Sequence, residues 1–173
     1  MRDDDNELLP VVDGDGNVLG SVTRGAAHGG SRALHPVVHL HVLNSAGEMY
    51  LQRRPEWKDI QPGKWDTAVG GHVSYGETVE HALRREVAEE LGISDFSPVD
   101  LGNYVFDSGV ERELVHVFRA VYDGPVKPDG EELNGGRFWT GGEIVENMGK
   151  GVFTPNFEHE YNIYFVSSIS PSI

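Results

Sequence analysis

The sequence predicts an α+β fold, or an α/β/α sandwich with a mixed β-sheet. Three observations carry this reading. Short runs rich in Val, Leu, Tyr and Phe, bounded by Gly, Asn, Asp and Pro, recur along the chain as strands do. The segment Thr78–Leu91 has good helix formers, lacks Gly and Pro, and ends at Gly92, a fitting residue just past a helix. Strands and helices are mixed without alternating as regular βαβ units, so the sheet is read as mixed.

In order along the chain, residues 1–7 read as a frayed acidic tail. Leu8–Val12 and Val18–Val22 flank Asp13-Gly14-Asp15-Gly16-Asn17 as an N-terminal hairpin within residues 8–24. That turn superficially suggests a calcium loop, but its twelfth position is Arg24 and not the Glu such a loop needs, so a plain turn is expected. Residues 25–34 read as a Gly- and Ala-rich loop. Val37–Leu43 and Glu48–Arg53 pair as strands across Asn44-Ser45-Ala46-Gly47. A polar loop with Pro55, Pro62 and Gly63 leads to the helix. Val99–Phe106 and Leu114–Tyr122 are further strands, Phe138-Trp139 a short one, and Glu143–Met148 a short helix. Thr154-Pro155 supplies an N-cap and an N1 proline for a final helix with Phe157, Tyr161 and Tyr164/Phe165 on one face. The whole chain, 1–173, is expected to be one domain.

Composition narrows the function. A hydrophobic share of 38% in 173 residues suits a real core. A net charge of -14 argues against nucleic acid and anionic membranes as partners. A phosphate-bearing substrate would need a cation to screen the repulsion. Without cysteine there are no disulfides, thiolate zinc sites or cysteine nucleophiles. The acidic start lacks the apolar stretch of a signal peptide, and no apolar run approaches the roughly 20 residues of a membrane helix. A soluble cytoplasmic protein acting on a small molecule is expected, with homodimerisation open.

Glu86, Glu89 and Glu90 are spaced i, i+3, i+4 and so share one side of the predicted helix. Its apolar arc is Val79, Leu83, Val87 and Leu91. Glu86 and Glu90 fall at the edge of that arc or within it, Glu89 just outside, while His81, Arg84, Arg85 and Ala88 form the solvent face. Inward carboxylates repel one another and resist ionisation, and a hard divalent cation removes that penalty.

The run from Gly71 through five residues to Glu77, seven residues to Arg85-Glu86-Val87, then Glu89-Glu90 and Gly92-Ile93, resembles the Nudix box in full. Pro62-Gly63-Lys64-Trp65 and Gly70-Gly71 resemble its lead-in. The resemblance implies a Nudix α/β/α sandwich and Mg2+ or Mn2+ held by Glu86, Glu89 and Glu90. It further implies catalytic roles for Glu89 and Glu90, tight loop geometry at Gly71, Gly76 and Gly92, and a Glu77–Arg85 salt bridge. The implied reaction is hydrolysis of a nucleoside diphosphate linked to another moiety, or of a similar small diphosphate.

A second resemblance is narrower. His28, His35, His72, Glu111 and Glu113 are arranged like the metal site of type I isopentenyl diphosphate isomerases, which are themselves built on a Nudix fold. This implies a second metal site there, with Glu111 or Glu113 as ligand or general base. Those isomerases carry a catalytic cysteine where this chain has Gly70, and generally lack the full glutamate triad. The chain therefore resembles a hydrolase cousin, with isomerase activity and a non-catalytic binding module as alternatives. Arg53, Arg54, Lys58 and Lys64 are positive charges near the box that could grip a diphosphate. His39 and His41 share a strand face with His35 and are read as satisfied by hydrogen bonds.

Overall fold

The computed structural model describes residues 4–58, 61–127 and 135–166. Strands β1 (Leu8–Val12) and β2 (Val18–Thr23) pair antiparallel as a separate ribbon. The Asp13 carboxylate closes their turn by accepting from the amides of Asp15 and Asn17, each at 2.9 Å. A side chain spent on its own turn is the chemistry of a plain Asx turn.

Helix α1 (Arg24–His28) stands where a loop is expected. Thr23 caps it by accepting from the Ala26 amide at 3.2 Å. The Gly25 and Arg24 amides donate to the carbonyls of Asp5 and Glu7 at 2.9 and 2.8 Å. Residues 4–7 are therefore hydrogen-bonded to the helix and not frayed, while the first three residues of the expected tail lie outside the described residues. Tertiary partners make a helix of a sequence too short and Gly-rich to propose one.

The main sheet comprises β3 (Leu34–Leu43), β4 (Met49–Arg53), β5 (Trp65–Thr67), β6 (Val69–His72), β7 (Val99–Asp107), β8 (Arg112–Val121) and β9 (Gly136–Trp139). Its order is β5-β4-β3-β8-β7, with β6 also on β3 and β9 on β4. The central pair β3–β8 is parallel and the others antiparallel, so the sheet is mixed as expected. A parallel pair needs a crossover, and helix α2 (Val79–Leu91) lies within it. The parallel register sets His35 opposite Glu113.

Helix α2 begins and ends on local signals. Thr78 accepts from the His81 amide at 3.1 Å, and Gly92 adopts the left-handed conformation (φ 67°), which glycine reaches without a steric penalty. Ala82, Leu83, Val87 and Leu91 pack on Val38, Leu40 and Val69 to form the core of one layer. The other layer holds α3 (Gly141–Asn147), α4 (Pro155–Tyr161) and a π-helical turn (Asn162–Val166). Phe157, Tyr161 and Phe165 pack there with Leu51, Trp139 and Phe153. Phe153 and Phe157 are fully enclosed, each contributing roughly 1.5–3 kcal/mol. No helix of the described residues is long and apolar enough to cross a membrane.

Candidate functional site

Strand β6 separates two groups of charged side chains. On the α2 side, Glu90 is buried at 6% exposure, Glu86 is half-buried, and the side chain of Glu89 is 41% exposed. A Cβ on Gly71 would lie 2.2 Å from the Glu86 carboxyl carbon, so only glycine leaves room for that carboxylate against the strand. Gly76 takes a positive φ of 88° in the loop before the helix.

Arg85 departs from the expected solvent face. Its Nε and Nη2 each donate to Glu77 at 2.8 Å, Nη1 to Glu86 at 2.7 Å, and Nη2 also to the His72 carbonyl at 3.0 Å. The loop before α2 folds Glu77 beside Arg85, and the planar fork turns inward to meet it. Burial alone would raise the Glu77 carboxyl, but the bonds from Arg85 prevail and hold it at about 2.

On the opposite side of β6 the three histidines meet. His28 comes from the end of α1, His35 from β3 and His72 from β6. The Nε2 atoms of His28 and His72 are 3.1 Å apart, and Glu111 Oε2 lies 3.1 Å from His28 Nε2 and 3.9 Å from His35 Nε2. Glu113 Oε2 is also 3.9 Å from His35 Nε2. Two triplets, His28-His35-His72 and His35-Glu111-Glu113, each keep their donor atoms within 4.8 Å and share His35. Among the described residues, Glu86, Glu89 and Glu90 do not converge to that degree. Glu86 is drawn to Arg85, whose Nη1 also lies 3.6 Å from Glu89.

The tautomer of His35 follows from its partner. Nδ1 donates to the Ala33 carbonyl at 2.9 Å, and a carbonyl can only accept. Nε2, buried and without a hydrogen bond, is then the lone-pair nitrogen facing the cluster. Burial lowers the pKa of His35, and that of His72 well below the usual range. Burial raises Glu111, and burial with Glu111 nearby raises Glu113 to about 7. Neutral imidazoles beside crowded carboxylates form a nitrogen–oxygen donor set suited to a divalent cation.

A third group was not legible as a unit in the sequence. Glu160 of α4 is fully buried and accepts from His39 Nδ1 at 2.6 Å, His41 Nε2 at 2.9 Å and the Tyr104 hydroxyl at 2.6 Å. His39 and His41 each bond Glu160, as a satisfied reading expects, although His41 Nδ1 is buried without a hydrogen bond; Glu160 and Tyr104 are additions that the sequence reading did not contain. The available signal was a glutamate sharing the apolar face of Phe157 and Tyr161, one helical turn after Phe157.

The four basic residues near the box serve several contacts. Arg53 donates to Glu56 at 2.7 Å and to the Gly63 carbonyl at 3.2 Å, bracing its loop. Arg54 lies 3.8 Å from Asp66. Lys58 sits 5.0 Å above the exposed Trp57 ring, and Lys64 is half-buried beside β5.

Residues 33–166 match the NUDIX domain. The chain belongs to the Nudix family. This Nudix chain is 33% identical over 156 residues to an isopentenyl-diphosphate Delta-isomerase of Streptomyces avermitilis, covering 87% of this chain and 79% of that protein. It is 38% identical over 135 residues to an uncharacterized Nudix hydrolase of Pseudomonas aeruginosa, covering 78% and 79%. It therefore lies in the isomerase-like branch of the Nudix family. The crystal structure of DR0079 from Deinococcus radiodurans superposes with a TM-score of 0.78 at 25% identity, over 92% of this chain and 99% of that one. A MutT protein from Methanosarcina mazei Go1 shares the fold, with a TM-score of 0.66 at 24% identity over 79% and 96%. Nudix membership makes the protein a pyrophosphohydrolase in class, of a family that generally uses divalent metal ions.

Proposed function

We propose that this protein cleaves the diphosphate bond of a nucleoside diphosphate linked to another moiety, or of a similar small metabolite, using Mg2+ or Mn2+ in the cytoplasm. The observation that carries the reading is the convergence of His28, His35, His72, Glu111 and Glu113 behind the strand whose other side abuts the box glutamates. These five residues, with Glu86, Glu89 and Glu90 across β6, are the ones that would hold metal. A bound divalent cation supplies charge neutralisation for the phosphates and acidifies the attacking water. His35, oriented by the Ala33 carbonyl, and His72 present lone pairs. Glu113, raised to about 7 by burial and by Glu111, serves either as a ligand or, near neutral pH, as the base that takes up a proton from water. Arg85 and Glu77 hold the box loop in place. Arg53, Arg54, Lys58 and Lys64 are the cations near the box that could engage the diphosphate.

The test is a panel of nucleoside diphosphate derivatives with Mg2+ or Mn2+, read as phosphate release after phosphatase coupling. Turnover that chelator abolishes is the expected outcome. Absence of release from every diphosphate would overturn the reading. The likeness to the Streptomyces isomerase favours a second reading, isomerisation of an allylic diphosphate. Gly70 stands where those enzymes carry cysteine, which weighs against it. Incubation with isopentenyl diphosphate, with the dimethylallyl isomer monitored, separates the two.

A further inference from the structure

The group around Glu160 invites a question that ordinary core packing does not answer. A carboxylate buried without water is costly, and partners repay that cost only when they satisfy it fully. Glu160 has three donors, yet they are not equivalent. His41 is fully enclosed, whereas the side chain of His39 is 13% exposed. The exposure lies at one edge of the ring. Nδ1 faces Glu160 at 2.6 Å, and among the described residues no hydrogen bond engages Nε2.

The backbone opposite that edge is Gly70, which is exposed and pairs in register with His39 across β3 and β6. A Cβ at position 70 would stand 3.3 Å from His39 Cδ2 and 3.5 Å from Nε2. Glycine therefore keeps the Nε2 edge uncovered, where any side chain would lie across it. Burial works against a charge on His39, but Glu160 beside it prevails and raises the ring to about 9, so it is cationic at neutral pH. In a chain of net charge -14, a buried anion has been used to fix a cation at an opening.

The opening lies beside the candidate metal centre. Gly70 and His72 are two residues apart on one strand, which places them on the same side and roughly 7 Å apart. A diphosphate gathered at His72 has a further anionic oxygen or its attached group within reach of Gly70.

We propose that His39, locked by Glu160 and Tyr104, is a substrate-anchoring residue whose Nε2–H donates to an anionic oxygen of the bound diphosphate at the opening left by Gly70. Glu160 and Tyr104 are then positioning residues that fix the ring's orientation. This rests on the hydrolase reading, since it presumes a diphosphate at the adjoining cluster.

The experiment uses inorganic diphosphate with Mg2+ as probe on the full-length protein. Calorimetric affinity is compared for the parent and His39→Gln, with melting curves showing that both are folded. Loss of one charge-assisted hydrogen bond should weaken binding roughly ten- to a hundredfold. Because His39→Gln could fail to fold, a second measurement needs no variant: the His39 ring resonances of the parent should move on addition of diphosphate, while those of His41 stay in place. Equal affinity in the two proteins, or unmoved His39 resonances at saturating diphosphate, overturns the proposal. Failure of the hydrolase reading is seen elsewhere, as a parent that releases phosphate from no diphosphate in the panel.

Discussion

The two sides of β6 treat their charges in opposite ways. On the α2 side the glutamates share a built-in cation: Arg85 engages Glu77 and Glu86 and approaches Glu89, so part of the negative charge is offset within the protein. On the histidine side Arg24 acts from nearby, helping to keep His72 low and opposing the rise of Glu111, but it does not overcome burial there. His35 presents an unbonded nitrogen, and Glu111 and Glu113 are pushed toward protonation. Carboxylates already turned toward an arginine must leave it to meet a cation, whereas donor atoms gathered within 4.8 Å need not move far. On that ground the histidine side is the stronger candidate for tight cation binding, and the box side for a second, weaker or substrate-dependent position.

The largest expected effect strips the cation altogether. Excess chelator should abolish turnover and lower the melting temperature, because a ligand that binds only the folded state stabilises it. An unmoved melting curve on adding millimolar Mg2+ or Mn2+ to stripped protein would break the comparison. Next come single charges on each side. Glu113→Gln and Glu90→Gln should each lower kcat on the order of 10²-fold, but metal affinity measured by titration should fall more for Glu113→Gln and His72→Ala than for Glu90→Gln. Silent Glu113→Gln and His72→Ala variants beside a dead Glu90→Gln would reverse the ranking of the two sides.

A smaller effect concerns the built-in cation. Arg85→Ala removes the guanidinium bonds to Glu77 and Glu86 and should cost about 2 kcal/mol in chemical denaturation. Added Mg2+ should recover part of that loss if Glu86 can then turn to a cation. The smallest effect is a pH dependence away from both sides. His39 is raised from 6.5 to about 9, so its contribution to stability is complete below pH 6.5 and is lost as pH rises through 9. Burial would raise Glu160, but His39 and His41 lower it well below 4.5, so its contribution is complete above pH 4.5 and is lost as pH falls toward its folded value. The melting-temperature gap between the parent and His39→Gln should therefore be widest between pH 4.5 and 6.5 and narrow toward pH 9 and above.

The contrast between the sides also marks what the sequence could disclose. The box is contiguous, so its caps, glycines and i, i+3, i+4 carboxylates were readable from local spacing, as were Thr78 and Gly92 at the ends of α2. The histidine cluster was reached through family resemblance, because its residues come from separate elements joined by the parallel β3–β8 register. Arg85 was placed on the solvent face because a helical wheel ignores the loop that folds back with Glu77. Glu160 stayed hidden because its partners His39 and Tyr104 lie 121 and 56 residues away, and no local periodicity joins them. Helix α1 escaped notice because backbone contacts from Asp5 and Glu7 stabilise it, not its own propensity.

If the proposed metal centre is right, the parallel pairing of β3 with β8 has a consequence for how an ion would come to be held. His35 meets Glu113 only after the crossover carrying α2 has been laid down and the central pair has zipped, a high-contact-order event. During synthesis His28 and His35 emerge long before Glu111 and Glu113, so the early chain cannot assemble the five-residue donor set. Capture of an ion by this set would belong to the end of folding. A cation bound that late would slow unfolding without hastening folding, acting as a latch on the finished sheet and not as a seed for it.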